Sequence, residues 1–310
     1  MRELDLDHPV IEGGQKIPVI EQKSSAEVLK KEGKIAVLYS GGTDSTCVVA
    51  IEAEKYSQVH LLTYEERATF GSPIPLDNVR LLEKGYPDVR FIPVHMSVDR
   101  LVRYFWYEHY LHYVLRYGRL SLSTCGMSTL SWHVRTISYC LENDITAVAD
   151  GLTRELMHFP GHMDGVVERF RALYAHFGIE YSNPVRSWPT PEDRQLIDQV
   201  LVNRHPYESL WNQTSRQKTT GWYLYERGVF PSPNMKGTRQ DFSMQHECYP
   251  FALYNIMTFW GYLTFHGYDE FCGMMLSFMS EKIAGAQALL AAYRDDKTSS
   301  VLSHMLETTV

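Results

Sequence analysis

Six consecutive residues, Ser40-Gly41-Gly42-Thr43-Asp44-Ser45, combine the side chains and backbone freedom that bind an anion. Gly41 and Gly42 place no Cβ between the backbone and an approaching phosphate, and Ser40, Thr43 and Ser45 add hydroxyl donors. Asp44 is out of place beside an anion unless it works through Mg²⁺ or caps a helix. Cys125 carries chemistry of a second kind, within the small polar stretch Ser121-Leu122-Ser123-Thr124-Cys125-Gly126-Met127-Ser128. A thiol at a helix N-terminus has a lowered pKa, which suits sulfur transfer, while the bland alternative for a lone cysteine is a small buried hydrophobe. His158, His162, Asp164 and Arg169 form a polar series that either reads the edge of a substrate or is solvated. His246, Cys248, His266 and Cys272 match no short metal-binding spacing, and CxxC is absent, so metal binding by them stays open.

These residues need a frame. Before the glycines, the short, apolar, β-branched run Lys34-Ile35-Ala36-Val37-Leu38-Tyr39 reads as a strand buried on both faces. After them, Thr46 to Tyr56 contains no Gly or Pro and reads as a helix. At such a junction the first helical N–H groups and the helix dipole face the loop. Strands are expected at Val59–Tyr64, Val89–Val94 and Ile145–Ala149, with helices at Leu76–Lys84 and Leu130–Glu142. The alternation predicts an α/β fold whose parallel sheet carries helices on both faces and binds ligands at the carboxyl ends of its strands. Ser40, Thr63 and Asp150 lie at three such ends, and Gly151 either admits substrate or ribose there or makes a plain turn.

From Pro189 the texture changes: Thr190-Pro191-Glu192-Asp193 looks like a helix start, and residues 255–306 read as helices interrupted near His266-Gly267. The expected organisation is an N-terminal arm at 1–33 with a short helix around Ser25–Lys31, a nucleotide-binding domain at 34–188, and a mainly helical domain at 189–310. The aromatic run Tyr104 to Tyr113 either stacks on a purine-like ring, packs between core and helical part, or lines a homodimer interface.

Composition sets outer limits. With 310 residues, 44% of them apolar, the chain can bury a full core. The acidic start, broken by Pro9, is no signal peptide, and the most apolar stretch, Tyr249 to Leu263, is too short for a membrane span. Five widely spaced cysteines suit reduced thiols and the cytoplasm. A formal net charge of −7 favours a small molecule or a protein terminus over a nucleic acid.

Placed at the end of the first buried strand, SGGxDS resembles the PP-loop of the ATP pyrophosphatase superfamily, which cleaves ATP between the α and β phosphates. The segment lacks the GxxxxGK[ST] of a Walker loop and the GxGxxG of a dinucleotide loop. The resemblance implies an adenine-nucleotide α-hydrolase-like (HUP) sheet and ATP with Mg²⁺, the ion held with ATP through Asp44 and no resident metal in the protein. It also implies ATP and pyrophosphate contacts from Ser40, Gly41, Gly42, Thr43, Asp44, Ser45, Thr63 and Gly151, with Ser40 and Asp44 in the chemistry. In the tRNA thiouridylases of this superfamily a nucleophilic cysteine stands one helix and one strand before a strand-end glycine, and Cys125 stands 26 residues before Gly151. A second resemblance, from Lys34 to about Val200, is to the cyano-deazaguanine synthases. It rests on Asp150–Glu155, His158–Asp164, Glu168-Arg169-Phe170 and Ser182-Asn183-Pro184-Val185. The four-cysteine zinc cluster of that family has no counterpart here, and the helical part is larger.

Together the resemblances imply transfer of AMP to a carbonyl or carboxylate oxygen of a small purine-like heterocycle, with release of pyrophosphate. Sulfur delivered through Cys125 then displaces AMP. The alternative is an ammonia or amine nucleophile that yields an amide, nitrile or conjugate. A third, non-enzymatic alternative is a nucleotide-binding sensor subunit. The expected partners are the heterocycle and a sulfur or ammonia donor protein.

Overall fold

A computed structural model describes residues 32–67, 69–70, 76–118, 126–153, 159–188, 219–233, 235, 247–248, 253–254 and 256–306. The arm up to residue 31 with its expected helix, Cys125, His158, the helix start at Thr190-Pro191 and His246 lie outside the described residues.

Seven strands are described: β1 Lys34–Leu38, β2 Gln58–Glu65, β3 Thr69–Phe70, β4 Arg90–Ser97, β5 Ala147–Asp150, β6 Glu180–Ser182 and β7 Glu247–Cys248. Five form one sheet in the order β4-β2-β1-β5-β6, and every neighbouring pair is parallel. β3 and β7 pair antiparallel as a separate two-stranded ribbon. Strand periodicity divides the core in two. Ile35, Val37, Val59, Leu61, Ala147 and Ala149 enter one apolar cluster, and Ala36, Leu62 and Val148 enter the other. Among the described residues β4 pairs only with β2, and of its side chains only Phe91 and Met96 are buried, so this edge departs from the two-sided burial expected of the sheet. An edge strand also tolerates Pro93, which sits opposite Leu61.

The first face is covered by α1 Thr43–Glu52, α2 Leu76–Gly85 and α7 Thr220–Glu226. The second is covered by α3 Asp99–Tyr107, α5 Gly126–Asn143, α6 Asp164–His176 and α8 Tyr268–Asp295, with Leu302 of α9 Val301–Leu306 joining the same cluster. α4 Tyr110–Tyr117 has no fully buried residue and rests Tyr113 and Tyr117 edge-on against Phe278 of α8. Helices that follow residue 219 thus complete both faces. Among the described residues no helix is long and apolar enough to cross a membrane.

The helix after the glycines begins at Thr43 and ends at Glu52, three residues earlier at its start and four earlier at its end than the sequence suggests. Gly42 is its N-cap, extended at φ −66° and ψ 165°, and Thr46 N–H makes the first helical bond, to Gly42 O at 3.0 Å. No side chain caps it. Burial fixes it instead: Cys47, Val48, Val49 and Ala50 are fully enclosed. The two valines alone are worth roughly 3–6 kcal/mol, against the roughly 1 kcal/mol of a good cap.

Candidate anion-binding active site

From β1 the chain passes to α1 on one face of the sheet, and from the adjacent β5 it passes to α6 on the other. The carboxyl ends of β1 and β5 therefore border the crevice where open α/β sheets bind ligands. Ser40 to Ser45 occupy the β1 side of that crevice, as the first turn of α1 and the loop before it. The amides of residues 43–45 precede the helical hydrogen-bond ladder and point out of the positive end of α1.

The loop is held from four directions. Gly41 takes φ +81°, a conformation that favours glycine, and its carbonyl accepts from Nδ2 of buried Asn78 at 2.7 Å and from Thr46 Oγ1 at 3.4 Å. Those bonds restrain a carbonyl whose rotation into the cradle would repel an anion. Thr63, buried two residues before the end of β2, donates to Tyr39 O at 2.9 Å and so fixes the start of the loop. Thr220 of α7 donates from Oγ1 to Asp44 Oδ1 at 2.6 Å. Gly151 closes the fourth side. A Cβ there would stand 2.7 Å from Ser45 N, 2.9 Å from Ser45 Cα and 3.0 Å from Asp44 C. The room that Gly151 leaves is filled by the first turn of α1, so its missing side chain serves to seat the loop against β5.

Within the loop, Gly42 N–H donates to Ser40 Oγ at 3.3 Å, Ser45 Oγ donates to Gly42 O at 3.1 Å, and the two serine oxygens are 3.2 Å apart. Ser40 is exposed and Ser45 is buried. The expectation that Asp44 could cap the helix is not met, because Gly42 holds the N-cap and Asp44 sits inside the first turn.

A second polar cluster lies at the end of β5. Buried Asp150 accepts from Tyr181 Oη, from Asn183 Nδ2 at 2.6 Å and from Leu152 N–H at 3.0 Å. Burial pushes its carboxyl up to about 6 against those bonds. Arg186 donates from Nη2 to Asp164 Oδ1 at 2.6 Å and to His162 O at 2.8 Å. The structure thus ties Asp164 and the His162 backbone to Arg186, which sequence reasoning missed although it directly follows Ser182-Asn183-Pro184-Val185. Arg169 is exposed on α6 and makes no hydrogen bond or ion pair among the described residues. The structure does not bring it into the cluster.

Glu66 was also missed. It follows β2 directly, is buried, and accepts from Ser128 Oγ in the first turn of α5 at 3.0 Å. Burial, reinforced by Asp99, pushes its carboxyl up to about 7. The one sequence signal was two consecutive carboxylates, Glu65 and Glu66, at a strand end.

Cys47 and Cys140 are buried, and burial raises both thiols, Cys140 to about 12. Cys272 is half-buried and is raised by burial as well. His266 pairs with Glu270 at 3.1 Å and stacks on Tyr262. Cys248 is described only through the backbone pairing of β7 with β3.

No protein-family model matches the chain. No curated protein matches it either. Among solved structures, a "predicted subunit of tRNA methyltransferase" from Methanocaldococcus jannaschii aligns at 17% identity, over 69% of this chain and 95% of that one, with a TM-score of 0.34.

Proposed function

We propose that the chain is a PP-loop ATP pyrophosphatase that activates a carbonyl or carboxylate oxygen of a small purine-like heterocycle. The reading includes an adenine-nucleotide α-hydrolase-like sheet, the three-part division at residues 33 and 188, and a cytoplasmic location. The single observation that supports it most is the seating of Ser40–Ser45: a glycine-rich loop opens a helix at the crevice between β1 and β5 and is pinned from four sides. Such preorganisation favours electrostatic stabilisation of a departing pyrophosphate, since the backbone amides at the start of α1 need no reordering during reaction.

In the proposed reaction the acceptor oxygen bonds to the α-phosphorus of ATP. The bond from that phosphorus to the α–β bridging oxygen breaks, and pyrophosphate leaves with the electron pair. Loop amides at 43–45 and the hydroxyls of Ser40, Thr43 and Ser45 orient and neutralise it. Among the described residues no three His, Cys, Asp or Glu side chains cluster into a metal cage. Mg²⁺ requires none, because it is commonly held by one or two carboxylates together with substrate phosphates. Asp44 at the mouth of the cradle fits that habit, and the ion supplies charge neutralisation when bound.

Sulfur carried by Cys125 then displaces AMP, and a thiol reductant releases it from the cysteine as a thiocarbonyl. What supports this branch is sequence position: Cys125 directly precedes Gly126, the first residue of α5, and α5 begins at the carboxyl edge because it leads into parallel β5. The partners in this reading are the heterocycle and a sulfur donor protein, and the net charge of −7 disfavours a nucleic acid acceptor.

Asp44→Ala tests the core of the reading. It is expected to abolish release of AMP and pyrophosphate while circular dichroism and thermal unfolding stay close to wild type. ADP and phosphate as wild-type products would overturn the reading. Cys125→Ala is expected to keep AMP release and lose the sulfur-bearing product, and an unchanged product would shift the nucleophile to ammonia or an amine.

A further inference from the structure

α4 leaves an apolar side uncovered. Tyr113 and Tyr117 turn inward to meet Phe278 of α8 edge-on, and at 3.6 residues per turn Leu111 and Leu115 face the opposite way. A second uncovered side belongs to the π-helical turn Ile256–Tyr262 and the residues after it. Its Tyr262 packs on Phe271 near the start of α8, while Trp260 and Phe265 stand in solvent at 82% exposure each. Phe271 and Phe278 are two turns apart, so they lie on one side of α8 and about 10 Å apart along its axis. That is the spacing of packed helices, and it sets α4 beside the π-helical turn on the same side of α8.

Tyr110, Leu111, Leu115, Ile256, Trp260 and Phe265 are between 48% and 82% exposed. At roughly 200 Å² for a fully exposed side chain of this size, they present roughly 800 Å² of mostly apolar surface. The largest patch on an ordinary monomer is about 300–600 Å², whereas a specific protein interface buries about 800 Å² on each partner. Ionic groups at the border of the patch are paired within the chain. Arg116 meets Glu281 at 3.1 Å, Glu281 also accepts from Tyr117 Oη at 2.7 Å, and His266 meets Glu270 at 3.1 Å. A two-fold contact sets a surface against its own copy, so an uncompensated charge there would meet a like charge. An apolar patch bordered by neutralised pairs carries no such penalty. The net charge of −7 disfavours an anionic membrane surface as the occupant.

We propose that this face, formed by α4 and residues 256–265, is the interface of a homodimer whose two copies meet about a two-fold axis. The dimer depends on no step of the ATP chemistry proposed above.

Sedimentation velocity of the full chain over a dilution series tests it. Wild type is expected to sediment as a dimer at about 10 µM and above, since interfaces of this area bind with micromolar or tighter dissociation constants. Leu115→Glu and Trp260→Glu each set a charge and its copy into the contact, so each should weaken association about tenfold or more. Tyr225→Glu is the control: Tyr225 is exposed on α7, which covers the other face of the sheet, and this variant should dimerise like wild type. Leu115 and Trp260 are exposed, so thermal unfolding of their variants should stay near that of wild type. Should either variant unfold, Leu111→Ser and Phe265→Ser take its place, with a smaller loss of association in the same direction. Wild type that stays monomeric up to about 100 µM, or a dimer that the folded variants leave as tight as wild type, overturns the proposal. A monomeric wild type that floats with phosphatidylcholine vesicles overturns it in favour of a membrane surface.

Discussion

Gly151→Ala gives a direct measure of how the loop is seated. An alanine Cβ would stand 2.7 Å from Ser45 N, and the two backbones must part by about 0.7 Å to reach the 3.4 Å of ordinary contact. Neither side yields easily. Ser45 is in the first turn of α1, anchored by fully buried Val48 and Val49, and Gly151 directly follows fully paired β5. Overpacking of this kind costs about 1–3 kcal/mol, or a few degrees in Tm for a chain of this size. The larger effect should be on chemistry, because a misplacement of about 1 Å costs up to about a hundredfold in rate. We expect the variant to remain folded, to unfold at lower urea, and to lose roughly tenfold or more in kcat/KM for AMP release. Gly273→Ala is the control: this glycine is exposed on α8, a Cβ there would meet nothing within 4 Å, and the change should stabilise by about 0.5–1 kcal/mol. A Gly151→Ala protein with wild-type urea midpoint and wild-type AMP release would refute the seating of the loop by this contact.

Three further outcomes are expected. Glu66 sits at about 7 in the folded chain against its ordinary 4.5, so the folded state binds this proton more tightly than the unfolded state does. Its stabilisation is present below about pH 4.5 and is lost as pH rises through about 7, so Glu66→Gln should gain on wild type by up to about 3 kcal/mol over that window. Urea midpoints that run parallel across that pH range contradict it. Thr220→Val removes the donor to Asp44; it should cost about 1–2 kcal/mol and raise the Mg²⁺ needed for half-maximal AMP release severalfold, with Thr220→Ser restoring both. Unchanged Mg²⁺ dependence would mean that Thr220 does not orient Asp44. Alkylation of the native protein, read by peptide mass, should label Cys125 first and Cys47 and Cys140 last, since burial raises the latter two thiols and shields them. Early labelling of Cys47 would show that the α1 layer opens far more readily than its burial implies.

Much of this protein was legible in the chain because the informative signals are local. Four apolar residues in β1, two glycines, and a run without helix breakers suffice to predict a strand, an anion-binding turn and a helix. Repetition of that pattern predicts a parallel sheet with helices on both faces. Element ends were less legible: α1 begins within the glycine-rich motif because Gly42 can serve as its N-cap, and a residue-type pattern does not mark where the helical hydrogen bonds start. β6 escaped notice because three residues carry no periodicity, and it exists through pairing with β5. The supports of the site were hidden for a related reason. Thr220 and Asp44 are 176 residues apart, and Ser128 and Glu66 are 62 apart. Nothing in the chain near Asp44 marks Thr220 as its donor, and nothing near Gly151 shows that Ser45 fills its open side. Local propensity and periodicity determine which segments become strands, helices and anion-binding turns. Burial then decides which distant side chains meet, because a polar group removed from water must find its partner wherever the packing of the sheet and its helices brings one.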